Sequence, residues 1–378
     1  MLSEKTEFFN ILGVGKNGTT LLGSLIDNHS QISTYPMEMK FIEHYFNTVQ
    51  DKSFDGILSF LLNESKISII GNPKINEKNK ELNRVVVGNL DKINFDFEKF
   101  KKIIDNNITS EIKLEKNYKK ILIFFHNCLD IYLNKQSTKK IVIQDGCFGL
   151  RYIREQIKIL EKAKFIIIVR NPLDTYVSYK NITFKFKLFR RFINDFSRAE
   201  QMNTKKENLN YFIINKLYIN HSNDKNFLFL KYEDLVKKPE QIMKKMSDFI
   251  GVNFEKTLLT PTVFGEQWLG NSTRIKEKKQ IDDQEVNKYS KYLNKNEIDF
   301  IMLFNQNFYK NFDYNDYVKK FNFLEKFKII FKIYFQNILD AKSVITINKK
   351  FLFKYFYYLF ILNNIFLITS FKNLLKKI

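Results

Sequence analysis

The chain has 378 residues, 44 % of them hydrophobic, which is enough to close one large core and carry an appendage. Its formal net charge is +21, but the lysines are spread over the whole length with no basic arm, which speaks against a nucleic-acid-binding groove. Two cysteines, Cys128 and Cys147, form no CxxC pair, and His29, His44, His126 and His221 lack metal-ligand spacing, so neither a disulfide framework nor a bound metal is expected.

The opening residues, MLSEKTEFFN, contain no apolar run of signal-peptide length, so a cytoplasmic location is expected. Phe8 to Val14 is a short apolar run that reads as a buried strand. A helix follows at once over Gly18 to Asn28, with Leu21, Leu22, Leu25 and Ile26 at helical spacing. From about residue 50 to 136 the chain is polar and rich in Asn and Lys, with helical patches near residues 57–62 and 119–133. This stretch reads as an insertion between the first and second strands, on the side where acceptor specificity is usually set. Residues 141–143, 165–169 and 227–230 are apolar runs of the kind found in buried parallel strands, and 150–162, 175 onward and 240–250 are helical. The alternation predicts an α/β fold of three layers, a central parallel sheet flanked by helices, over residues 1–316. Residues 317–378 turn Phe-, Lys- and Ile-rich and read as a separate helical tail.

The sharpest local feature is the segment GVGKNGTT, Gly13 to Thr20, between the first strand and the first helix. A turn there aims backbone N–H groups and the positive end of the helix dipole at an anion, and glycines allow close approach. Gly13 and Gly18 have the spacing of the nucleotide-hydrolase loop GxxxxGK[ST], but Thr19 stands where that loop needs its lysine, and the lysine is instead Lys16. Phosphoryl transfer from ATP by a kinase or NTPase therefore loses support. A second segment, KFIIIVRNPLDTYVSY, runs an apolar strand into Arg170 and places Ser178 eight residues later on the following helix.

Lys16-Asn-Gly-Thr-Thr20, followed by Leu25-Ile-Asp-Asn-His29, resembles the 5′-phosphosulfate loop of sulfotransferases, with Gly15 replacing the usual proline, Asn17 the usual serine and Ser30 the proline after the histidine. Arg170 with Ser178 resembles the family's 3′-phosphate anchor, in which a guanidinium fork and a hydroxyl grip one phosphate. Leu230 to Val236 (LKYEDLV) is similar to a further family segment, and Gly265 to Arg274 to a loop that closes over the nucleotide. The resemblance spans about residues 8–312. It implies a P-loop-like, metal-independent sulfotransferase that takes 3′-phosphoadenosine 5′-phosphosulfate as co-substrate. Lys16, Asn17, Gly18, Thr19, Thr20, Arg170, Ser178, Tyr232, Asn271 and Ser272 are then its nucleotide contacts, and Lys16 also stabilises the leaving oxygen. Trp268 either stacks on a ring or packs the lid. The catalytic base is Glu38, with Lys40 as its cationic partner, or His126, with Glu43 a weaker candidate. The family's Lys-Thr-Pro-like segment is replaced by Gln144-Asp-Gly-Cys-Phe-Gly149.

The acceptor stays open among carbohydrates, lipid headgroups or lipid-linked glycans, peptide tyrosines and small alcohols. Residues 351–371 form an apolar, aromatic stretch with Lys349, Lys350 and Lys354 at one end and Lys372, Lys376 and Lys377 at the other. Its length approaches the ~20 residues of a membrane span, but Asn363 and Asn364 interrupt it. Packing on the domain and peripheral contact with anionic lipid at the inner face of a membrane both fit this pattern.

Overall fold

In the computed structural model, residues 6–36, 38, 42, 45, 51–70, 95–136, 139–146, 149–185, 210–268, 270, 281–329 and 331–332 are described. Apolar runs buried on both faces have only each other to hydrogen-bond, and five of them form one parallel sheet. These are β1 (Glu7–Gly13), β2 (Ile32–Thr34), β3 (Lys140–Gly146), β4 (Lys164–Val169) and β5 (Phe227–Lys231), in the spatial order β2-β3-β1-β4-β5. A small antiparallel hairpin pairs β6 (Thr262–Val263) with β7 (Glu266–Gln267).

The sheet is the one the alternation predicts, with one strand more. Ile32-Ser-Thr34 is too short to show any periodicity, so the expected insertion follows the second strand rather than the first. It holds α2 (Phe54–Ile70), α3 (Phe97–Asn107) and α4 (Tyr118–Tyr132). Of these, α4 packs on β2, where the buried His126 Nδ1 lies 3.1 Å from Ser33 Oγ. The longer helices in chain order are α1 (Thr19–Ile26) before the insertion and, after it, α5 (Ile153–Leu160), α6 (Pro172–Lys185), α7 (Asn210–His221), α8 (Tyr232–Lys237), α9 (Pro239–Ile250), α10 (Lys295–Phe304) and α11 (Gln306–Asn311), and Ser110–Lys113 and Tyr289–Tyr292 are short helical turns. Residues 323–329 and 331–332 are helical as well, whereas the apolar stretch 351–371 lies outside the described residues.

The segment after α1 is a structural lock. Asp27 Oδ2 accepts from Thr262 Oγ1 at 2.9 Å and from the Gly265 backbone N–H at 2.8 Å. His29 Nδ1 accepts from the Gln31 N–H at 3.0 Å, so Nε2 carries the hydrogen and donates to the Asn253 carbonyl at 2.8 Å. The Asp-Asn-His motif thus fastens the end of α1 to the hairpin β6–β7 and to the turn after α9. Burial raises the Asp27 pKa, with the Lys135 charge and the bonds from Gly265 and Thr262 opposing it.

At the C-terminal end of β3 the pairing slips: Ile11 is level with Gln144 but Leu12 with Gly146, so Asp145 is an extra residue, a β-bulge. Its carboxylate enters a buried polar knot. Asn10 Nδ2 donates to Asp145 Oδ2 at 2.9 Å and to Gln156 Oε1 at 2.7 Å, and Gln156 Nε2 donates to the Gly149 carbonyl at 2.8 Å. An apolar replacement of Asn10 strands a carboxylate and an amide inside the protein. Asn10→Leu is expected to lower unfolding stability by about 2–4 kcal/mol, read as a reduced urea midpoint at unchanged slope.

Candidate functional site

The strand order decides where a ligand can sit. From β1 the chain moves to one side, through α1 and β2 to β3, and then crosses to the other side for β4. The loops after β1 and β4 therefore diverge across a crevice at the carboxyl ends of the strands, the usual ligand position in such sheets.

The loop after β1 is a tight turn in which the Asn17 N–H bonds the Val14 carbonyl at 3.0 Å. Lys16 adopts the left-handed region at φ 67°, uncommon for a residue with a side chain, and Gly18 lies at φ 101° as the N-cap of α1. A Cβ on Gly18 would stand 2.5 Å from Tyr232 Cδ2, so only glycine lets the loop seat against that ring. The N–H groups of the first turn of α1 have no intrahelical acceptor by geometry and face the crevice mouth. Lys16 is half-buried. Asn17 is wholly buried and turned inward, its Oδ1 accepting from Thr175 Oγ1 at 2.8 Å, so its side chain holds the loop onto α6.

Arg170 follows the last residue of β4 and is almost fully buried. Its Nη1 donates to the Lys16 carbonyl at 2.9 Å, its Nη2 to the Glu285 carbonyl at 2.6 Å, and its guanidinium lies 4.4 Å from the Tyr232 ring centroid. The two sequence motifs, about 150 residues apart, are thus joined through one side chain. Ser178 is buried on α6, its hydroxyl donating to the Asp174 carbonyl at 3.2 Å. Asp174 in turn accepts from the backbone N–H groups of Asn287 at 2.7 Å and Tyr289 at 3.0 Å, which pins residues 287–289 against α6. The Glu285 carboxylate lies 3.9 Å from Arg170 Nη2 and is also paired with the buried Lys288. Glu233 braces the turn before α6, accepting from the Asn171 N–H at 2.9 Å and from Tyr314 Oη at 2.7 Å; burial raises its pKa. Thr175, Glu233, Glu285 and Lys288 were not found from the sequence. Thr175 and Glu233 lie inside the recognised segments, but nothing in residue type distinguishes a bracing carboxylate from a solvated one.

The two candidate bases occupy different levels of the sheet. Gly146, at the end of β3 and level with Leu12, has φ +55°, and the Glu38 carboxylate lies where its Cβ would be. Glu38 therefore sits at the end of β3, the strand paired with the one that feeds the Lys16 loop. His126 contacts Ser33, which is level with Ile141, five residues and roughly 16 Å back along the sheet from Gly146. Burial lowers the His126 pKa to about 3, leaving a neutral imidazole on Ser33. Lys40, Glu43, Asn271 and Ser272 lie outside the described residues. Trp268 is buried, its backbone N–H donating to the Pro261 carbonyl at 3.0 Å. Among the described residues no group of three or more His, Cys, Asp or Glu side chains could hold a metal ion, and no helix is long and apolar enough to cross a membrane.

A family model described as "Sulfotransferase family" matches residues 9–256, a span that includes both anchors and the bulged strand. No curated protein sequence matches. Among solved structures, the sulfotransferase domain from the curacin biosynthetic pathway is 16 % identical, with 77 % of this chain and 92 % of that one covered at a TM-score of 0.41. The sulfotransferase domain from the Synechococcus PCC 7002 olefin synthase is 17 % identical, with coverages of 78 % and 92 % and a TM-score of 0.40. Retinol dehydratase in complex with androsterone and inactive cofactor PAP is 15 % identical, with 80 % of each chain covered and a TM-score of 0.37.

An anion that bonds Arg170 must compete with the Glu285 carboxylate beside it. Glu285→Gln keeps the backbone carbonyl and the side-chain shape but removes the competing charge. The expected result is a roughly 3–10-fold tighter binding of adenosine 3′,5′-bisphosphate by calorimetry. Weaker binding would make Glu285 a fixed structural partner of Arg170 instead.

Proposed function

We propose, for a chain that belongs to the sulfotransferase family, that the crevice beside β1 binds 3′-phosphoadenosine 5′-phosphosulfate and passes its sulfuryl group to a hydroxyl or amine of an acceptor. A carbohydrate or lipid-linked glycan is the acceptor class we favour. The observation that carries the reading is the bond from Arg170 to the Lys16 carbonyl, which makes the two phosphate-anchor segments one site. The residues present fit such a donor. A glycine-seated turn at a helix N-terminus suits one phosphate, and a buried guanidinium with a nearby hydroxyl suits a second.

The donor supplies an activated sulfuryl group, and the protein supplies position and charge. The N–H groups of Gly18, Thr19 and Thr20, with the threonine hydroxyls, hold the 5′-phosphate side. Arg170 and Ser178 hold the 3′-phosphate, and Tyr232 backs both the loop and the guanidinium. Glu38 takes the proton from the acceptor as its oxygen or nitrogen bonds to sulfur. The bond from sulfur to the bridging phosphate oxygen breaks, and Lys16 stabilises the negative charge left on that oxygen. Thr19, standing where a nucleotide hydrolase has its lysine, keeps ATP hydrolysis the weaker reading.

Adenosine 3′,5′-bisphosphate should raise the melting temperature, while ATP with Mg²⁺ should leave it unchanged; the opposite pattern overturns the donor assignment. With a radiolabelled donor and an acceptor found by screening, Glu38→Gln is expected to lower turnover by about 10²–10⁴-fold at unchanged nucleotide affinity. His126→Gln should leave both turnover and its pH profile near those of the parent. If His126→Gln loses turnover and Glu38→Gln does not, the base is His126.

A further inference from the structure

Beyond the catalytic domain's site, the helical turns at 323–329 and 331–332 leave an uncovered aromatic face. Phe323 is 66 % exposed, Leu324 65 %, Phe327 57 % and Phe331 58 %, and the rings of Phe327 and Phe331 stack at 6.3 Å. At about 100° per residue these four side chains share one arc of about 100°. Ile329 falls nearly opposite the centre of that arc and is buried, so the helix is held to the domain by its far side. Lys326 lies about 60° beyond one edge of the arc and Lys328 about 40° beyond the other, both exposed. Large apolar side chains gathered in one exposed patch mark a contact surface.

We propose that this face docks on an anionic membrane surface, with the aromatic rings entering the headgroup boundary and Lys326 and Lys328 meeting lipid phosphates. Three observations select lipid over a protein partner. The apolar arc is bordered by cations on both sides, the arrangement of a helix lying in the interface. The chain carries a net charge of +21, which draws it to a negative surface. The sequence then runs on through Lys349 and Lys350 into the apolar stretch 351–371, so the same end of the protein supplies more of the same chemistry. A helix with an apolar arc between flanking cations lies in the plane of such a surface, with its polar side toward water. The proposal is independent of the sulfotransferase reading, because it rests on the exposed side chains of residues 323–331 and not on the Lys16 or Arg170 anchors.

The test is co-sedimentation of the full chain with vesicles of phosphatidylcholine containing about a third phosphatidylglycerol, and with phosphatidylcholine alone. The parent protein should bind the anionic vesicles, lose that binding at high salt, and bind the neutral ones far less. Two variants, Phe323→Ser/Phe327→Ser/Phe331→Ser and Lys326→Glu/Lys328→Glu, should each weaken anionic-vesicle binding by about tenfold or more. Their melting temperature and adenosine 3′,5′-bisphosphate affinity should match the parent, since the altered side chains are exposed. A parent chain that ignores anionic vesicles overturns the proposal, as do variants that bind them like the parent. A lower melting temperature in the serine variant would show that the face is covered by another part of this chain. A parent dimer that this variant dissociates would show that a second copy covers it. Either result also overturns the proposal.

Discussion

A buried guanidinium has to be satisfied on every side, and Arg170 shows what that demands of the surrounding chain. Its charge is spread over the face of Tyr232, over a carbonyl from the β1 loop and over a carbonyl from residue 285. Each of these partners belongs to a different part of the sequence, so holding one side chain aligns three segments. The Lys16 turn needs Gly18 to fit against Tyr232, and the 285–289 segment is held by Asp174 from the same helix that carries Ser178. The site is thereby built before any ligand arrives, on strand ends and helix starts rather than on long loops.

The same economy appears on the other side of β1. The bulge at Asp145 sends one carboxylate into the Asn10–Gln156 knot and leaves Gly146 in a left-handed conformation, with no side chain where Glu38 comes in. A larger residue at 146 would collide with the candidate base. The stretch Gln144 to Gly149, which lacks the Lys-Thr-Pro-like sequence of the resembled family, therefore has a positive structural reason for its glycine. The Asp27 and His29 bonds then hold the far end of α1, so the helix is fixed at both ends.

Much of this was legible in the sequence because it rests on short-range chemistry. The apolar runs of β1, β3, β4 and β5, the glycines of the turn, and the Arg170-to-Ser178 spacing each declare themselves within about ten residues. What was not legible depends on distant partners. Three residues of β2 carry no pattern, and only pairing with β3 makes them a strand. The bond that Asn17 Oδ1 accepts from Thr175 spans 158 positions of sequence, beyond the reach of any local pattern. The sequence favoured Glu38 over His126 as the base, and the strand register places the two at different heights on the sheet.

The account stands or falls on Arg170 reading a 3′-phosphate. Calorimetric titration of adenosine 3′,5′-bisphosphate and of adenosine 5′-phosphate into the parent, Arg170→Ala and Lys16→Ala proteins measures this directly. The parent should prefer the bisphosphate, and Arg170→Ala should lose most of that preference, weakening the bisphosphate by about 100-fold, or roughly 3 kcal/mol. Lys16→Ala should keep the preference and lose turnover instead. An Arg170→Ala protein that still prefers the bisphosphate as the parent does would contradict the assignment.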